Sequence, residues 1–122
     1  LQAETIALLI GLCECGQKGF GNVGIQLDSL VLVGILRKQF QCPWHVRREV
    51  GQIWQLLGES PRIIHCYREA NNVADILSNV GVAHPEHKVR VYDHIRMIPQ
   101  MARGAIRLDK LGVPSIRKFR ML

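Results

Sequence analysis

The sequence predicts an α/β fold, and three observations carry the prediction. Runs with apolar residues at helical spacing are interleaved with two short runs in which apolar and other residues alternate. Their order is helix, strand, helix, helix, strand, helix, which is the order of crossover-connected strands. The chain has 122 residues, 48% hydrophobic and 21% charged, a globular balance with length for one core.

The first helix begins near Ala3, where Ala7, Leu8, Leu12 and Cys15 recur at helical spacing, and Gly16 followed by Gly19 ends it. Val23, Ile25 and Leu27 then alternate with Gly24, Gln26 and Asp28, so Asp28 closes a strand. Ser29 is a good N-cap for Leu30–Leu36, a run apolar on all sides that reads as a short buried helix. Residues 37–42 form a loop. Pro43 suits a helix's first turn, and Val46, Val50, Ile53, Trp54 and Leu57 supply the apolar stripe behind it, with Trp54 in the core. Residues 58–61 break that helix and residues 63–67 make the second strand. Asn71 or Asn72 caps a last helix carrying Val73, Leu77 and Val80, with Asp75 in its first turns. Two strands are too few for a self-sufficient sheet, so strands that pair with them are missing from this pattern. The domain is accordingly placed at residues 1–82. Residues 83–122 read as a basic, largely irregular tail with room for one short helix, because no period is sustained there.

The formal net charge is +6 and the pI is near 9.6, which favours a polyanionic partner. Acids gather in residues 1–36 and 69–82, each with a net charge of −2, whereas residues 83–122 hold nine bases and three acids. Acidic groups inside a basic protein suit a metal held against a polyanion, and they equally suit solvated faces. Four cysteines are too few for a disulfide scaffold and no leader-like segment precedes them, so an intracellular compartment is expected rather than secretion. The longest apolar run has seven residues against the roughly 20 needed to span a bilayer, so no membrane is expected. Cys13-x-Cys15 is too tight for a zinc hook, and Cys42, Cys66 and His84-x-x-His87 are scattered. The absence of GxxxxGK[ST], G-x-S-x-G and HExxH disfavours an ATPase, a serine hydrolase and a zincin.

Glu4 on the first helix, Asp28 at a strand end and Asp75 at a helix start are the candidate catalytic and metal-binding residues. Carboxylates are what Mg²⁺ prefers, and two such ions stabilise both the attacking and the leaving oxygen of a phosphodiester. By position alone the three read equally well as a first-turn acid, a turn residue and another first-turn acid.

The words around these acids resemble the plant branch of type 1 ribonuclease H domains found in retroelement-derived, reverse-transcriptase-associated proteins. The resemblance rests on Ala3-Glu4 with Ala7, Leu8, Gly11 and Leu12; on Gly19-Phe20 before the first strand; and on Leu27-Asp28-Ser29-Leu30. Pro43-Trp44 adds to it, as do His65-Cys66-Tyr67-Arg68-Glu69-Ala70-Asn71 and Val73-Ala74-Asp75-Ile76-Leu77. It covers residues 1–82 in order.

The resemblance implies a ribonuclease H-like fold, a mixed sheet flanked by helices, that cleaves the RNA strand of RNA/DNA hybrids with two divalent ions, Mg²⁺ or Mn²⁺. Glu4, Asp28 and Asp75 take three of its four acidic positions. The fourth, an Asp on the first strand of a three-stranded meander, has no counterpart, so the chain is expected to begin after that meander and to cleave weakly or not at all. A noncatalytic remnant that binds nucleic acid or a protein is the other reading. Arg37, Lys38, Arg47 and Arg48 are candidate backbone contacts, Trp44 a candidate stacking residue, and Asn71 a candidate substrate-orienting residue or a cap. His65 is the nearest candidate for a product-releasing histidine, although its place in the strand favours a half-buried structural role. An uncovered sheet edge leaves room for an oligomer.

Overall fold

The computed structural model describes residues 1–20, 23–59, 61–68, 71–83, 89–92 and 94–110, the last three without their side chains. The chain divides into two compact units, Leu1–Cys66 and Tyr67–Leu122. The architecture is α/β, as expected: α1 (Gln2–Gln17), β1 (Gly24–Leu27), α2 (Leu30–Leu36), α3 (Arg47–Leu57), β2 (Arg62–His65), α4 (Asn72–Ala83) and α5 (Gln100–Lys110). Short 3-10 turns at Trp44–Val46 and Ile95–Met97 precede α3 and α5.

In the first unit β1 and β2 pair in parallel, with Ile25 opposite Ile63 and Leu27 opposite His65. Each strand buries one residue, Ile25 or Ile63, and exposes its neighbours on the opposite face, as a period of two requires. The core gathers Leu12 of α1, these two isoleucines, Leu32, Val33, Ile35 and Leu36 of α2, and Val46, Val50 and Ile53 of α3. Cys66 N–H donates to the Leu27 carbonyl at 2.9 Å, so Leu27 and Ile25 aim their peptide groups at β2. Peptide directions alternate along a strand. Those of Gly24 and Gln26 therefore face the other edge of β1, and the Ile63 carbonyl faces the outer edge of β2.

α2 has the expected bounds, with the Ser29 side chain accepting from Leu32 N–H at 3.2 Å. Its first turn departs from the expectation of full burial, since Leu30 and Val31 are exposed. α1 is a correction as well: Ala7 is exposed, and the buried stripe runs through Thr5 and Leu12 with Leu8 and Cys15 half-buried. Thr5 satisfies its hydroxyl by donating to the Leu1 carbonyl at 2.7 Å. The helix runs past Gly16 to Gln17, and Gly19, with a φ of 82°, allows Gly19 N–H and Phe20 N–H to close on the carbonyls of Gly16 and Cys15. β2 begins one residue earlier than expected and stops at His65, leaving Cys66 and Tyr67 outside it. Trp54 is half-buried rather than core; its indole N–H donates to the Leu36 carbonyl at 3.1 Å and Lys38 Nζ lies 5.0 Å from its ring.

In the second unit α4 packs on α5. Val73, Ile76, Leu77 and Val80 form the half-buried side of α4, and Ala102 is the buried residue of α5. α5 falls within residues 83–122, where the sequence left room for one short helix. His84-x-x-His87 lies outside the described residues. No helix among the described residues is long and apolar enough to cross a membrane.

Candidate functional site

The carboxyl ends of parallel strands are where α/β sheets place ligands, because the backbone diverges there into loops and helix N-termini. Asp28 directly follows β1 at that end, exposed, with α2 starting two residues later. Across the pair, His65 Nε2 lies 3.2 Å from the Asp28 carbonyl oxygen. His65 is half-buried. Cys66, next to it, has its thiol pKa pushed up by burial first and then by the negative charge of Asp28. That second cause puts the Asp28 carboxylate within electrostatic reach of Cys66. Asp28, His65 and Cys66 thus form one polar end of the sheet, and Cys66 is the member that sequence reasoning missed. Its signal was its place one residue beyond His65, opposite the strand-closing acid.

Glu4 sits exposed in the first turn of α1, where its carboxylate lies 3.9 Å from the Leu1 amino group. Asp75 is half-buried in the first turn of α4, and its N–H donates to the Asn71 carbonyl at 3.1 Å. Asn71 therefore precedes α4 in the capping position. Glu4 and Asp28 belong to the first unit, Asp75 and Asn71 to the second. Three carboxylates are hard oxygen donors whose chemistry suits Mg²⁺. Among the described residues no group of three His, Cys, Asp or Glu side chains stands together to hold an ion.

The basic candidates occupy two places. At the start of α3, Trp44 is 82% exposed, and Arg47 and Arg48 are exposed in the helix's first turn. Cations there oppose the helix dipole and the free N–H groups attract anions. Beyond α2, Arg37, Lys38, Trp54 and Glu59 line a groove of about 460 Å³. Lys38 is exposed with a φ of 61°, the left-handed region. Arg37 is partly committed to the fold, since its Nε and Nη2 donate to the Ile63 carbonyl at 3.2 and 2.5 Å and cap the outer edge of β2.

Residues 1–81 match the reverse transcriptase-like family. The chain belongs to that family. The resemblance to retroelement-derived ribonuclease H-like domains, read from motifs in residues 1–82, is thereby borne out. Over 122 residues this reverse transcriptase-like chain is also 28% identical to a protein of Arabidopsis thaliana that carries the provisional name of ribonuclease H protein. That alignment takes in 98% of this chain and 19% of the relative, so the chain spans about a fifth of the relative's length. No solved structure matches it.

Proposed function

We propose that this reverse transcriptase-like chain is a nucleic-acid-binding module of the ribonuclease H type. In this reading Glu4, Asp28 and Asp75 hold the acidic positions of a divalent-metal site for Mg²⁺ or Mn²⁺, and RNA/DNA hybrid is the partner. The observation that carries it is Asp28 at the carboxyl end of β1, within the family match, where α/β sheets bind ligands. β1 and β2 would be two strands of a larger mixed sheet whose other strands pair along the edge presented by Gly24 and Gln26. Trp44, Arg47 and Arg48, with Lys38, would follow the phosphate backbone. Arg37 would contribute less, its guanidinium being engaged with Ile63. Hydrolysis by these 122 residues alone is weak or absent, because three acids without a fourth hold metal weakly.

A noncatalytic nucleic-acid-binding or protein-interaction role is the second reading, favoured by three acids that also suit helix-start and turn positions. Two measurements separate them. Labelled hybrid is incubated with the chain in Mg²⁺ and in Mn²⁺, with Asp28→Asn as the control; slow cleavage lost in the variant supports the metal-dependent reading. Thermal unfolding is then followed with and without Mg²⁺, because an ion bound only by the folded state stabilises it by mass action. An upward shift abolished by Asp75→Asn supports a real site, and no shift together with no cleavage leaves the noncatalytic role.

A further inference from the structure

Residues 94–107 present cations without acids. Arg96, Arg103 and Arg107 lie there with His94, and no Asp or Glu occurs from residue 94 to residue 108. Local hydrogen bonds tie the Arg96 turn to the start of α5. Pro99 opens α5, its carbonyl accepting from Ala102 N–H at 2.9 Å and Arg103 N–H at 3.3 Å. The Arg103 guanidinium turns back, Nε donating to the Ile98 carbonyl at 2.8 Å and Nη2 to the Arg96 carbonyl at 2.9 Å. This clasp ties the 3-10 turn to the helix and holds Arg103 against the backbone of Arg96. His94 Nδ1 completes the turn by accepting from Arg96 N–H at 3.1 Å. Arg107 follows one helical turn beyond Arg103, roughly 5–6 Å away between Cβ atoms.

Like charges at that spacing destabilise a helix by about 0.2–0.5 kcal/mol, and neither arginine has an acid three or four residues away to offset this. Arg96 and Arg107 are exposed, and no ion pair holds either one among the described residues. The segment between Asp93 and Asp109 therefore carries a local positive charge that complements an external polyanion. An anionic bilayer is the poorer match, because α5 turns its apolar side inward: Ala102 is fully buried and Ala105 and Ile106 are half-buried. What remains exposed nearby is Ile95, Met97 and Met101, and the two methionines are flexible enough to adapt to a partner's surface.

We propose that the 3-10 turn and α5 form a second nucleic-acid surface, in which Arg96 and Arg107 bind backbone phosphates and the Arg103 clasp ties the turn to the helix. The proposal rests on the nucleic-acid reading above and is independent of hydrolysis. Guanidinium groups favour phosphate through paired, charge-assisted hydrogen bonds.

The test measures binding of the full 122-residue chain to labelled single-stranded RNA and to RNA/DNA hybrid over a range of salt, in EDTA so that no cleavage intervenes. Removing two phosphate contacts should reduce the slope of log K against log salt by about 1.4 on the single strand and about 1.8 on the duplex. Arg96→Gln/Arg107→Gln is expected to do so, while Arg96→Lys/Arg107→Lys, which keeps both charges, stays near the parent slope. Equal slopes for the parent and the Gln variant would overturn the proposal. So would a salt-dependent loss of binding to phosphatidylserine vesicles in the Gln variant with nucleic-acid binding unchanged. Failure of the metal reading shows in the cleavage and Mg²⁺ melting experiments and leaves these slopes untouched.

Discussion

Lys38 stands where Gly19 stands in the other helix ending of the same kind. Its N–H and that of Gln39 close on the carbonyls of Ile35 and Gly34 at 3.0 and 2.8 Å, with Lys38 at a φ of 61°. The left-handed conformation costs a side-chain-bearing residue roughly 1–2 kcal/mol, and contact with Trp54 returns about 0.5–1. Lys38→Gly is therefore expected to leave urea stability within about 1 kcal/mol of the parent, while the salt slope for hybrid binding falls by about 0.9. A slope unchanged by the substitution would remove Lys38 from the interface. Asp28 is open to a test that needs no activity. Its carboxylate raises the Cys66 thiol pKa, so Asp28→Asn should lower that pKa and increase the thiolate fraction at any pH below it. Iodoacetamide labelling of Cys66, followed by peptide mass, should then be faster in the variant, with exposed Cys13 as the internal reference. Of the candidate site residues, Glu4, Asp28 and Asp75 were legible as acids at element ends. The commitment of Arg37 to Ile63 was not, because a basic residue in a loop carries no local sign of which carbonyl it will reach.

At the scale of elements, α2 is the best-specified piece, and the reason is local. Ser29 satisfies the Leu32 N–H, and the apolar run behind it has nowhere to go but inward. Ser29→Ala should cost about 1 kcal/mol and Leu32→Ala, at a fully buried position, about 2–5 kcal/mol, both read from urea unfolding. Gly34 leaves room for the Phe40 ring, which a Cβ there would strike, so Gly34→Ala must displace that ring. α1 was harder to read because Ile6 and Ile10, both exposed, give it apolar residues on nearly every side. Such a helix does not announce its buried face, and that face is chosen by tertiary packing, in which α3 is the main neighbour of α1. α5 was allowed for as a short helix but not placed, for the opposite reason. Its period is carried by small residues, Ala102 and Ala105, among arginines, and its order begins with the Arg103 clasp.

For the molecule as a whole, the edge of β1 turned away from β2 is where association is to be tested. Gly24 and Gln26 direct peptide groups away from β2, and unpaired edge groups are a template for another strand. The chain is expected to self-associate with rising concentration in sedimentation velocity, and Gln26→Pro, which removes one edge donor, should shift it toward monomer. A parent that stays monomeric throughout would show that this edge is not used between copies. Hydropathy periods, caps and breakers are short-range features, so the sequence by itself determined the α/β class, the order of elements, the bounds of α2, the acid at the end of β1 and the basic surplus. Only the tertiary structure decided the parallel register of Leu27 with His65, the nearness of Asp28 to Cys66, the burial of Thr5 and the reach of Arg37 to a carbonyl 26 residues away. Those contacts join residues that are distant in the chain, and their partners are selected by packing, which no local pattern encodes.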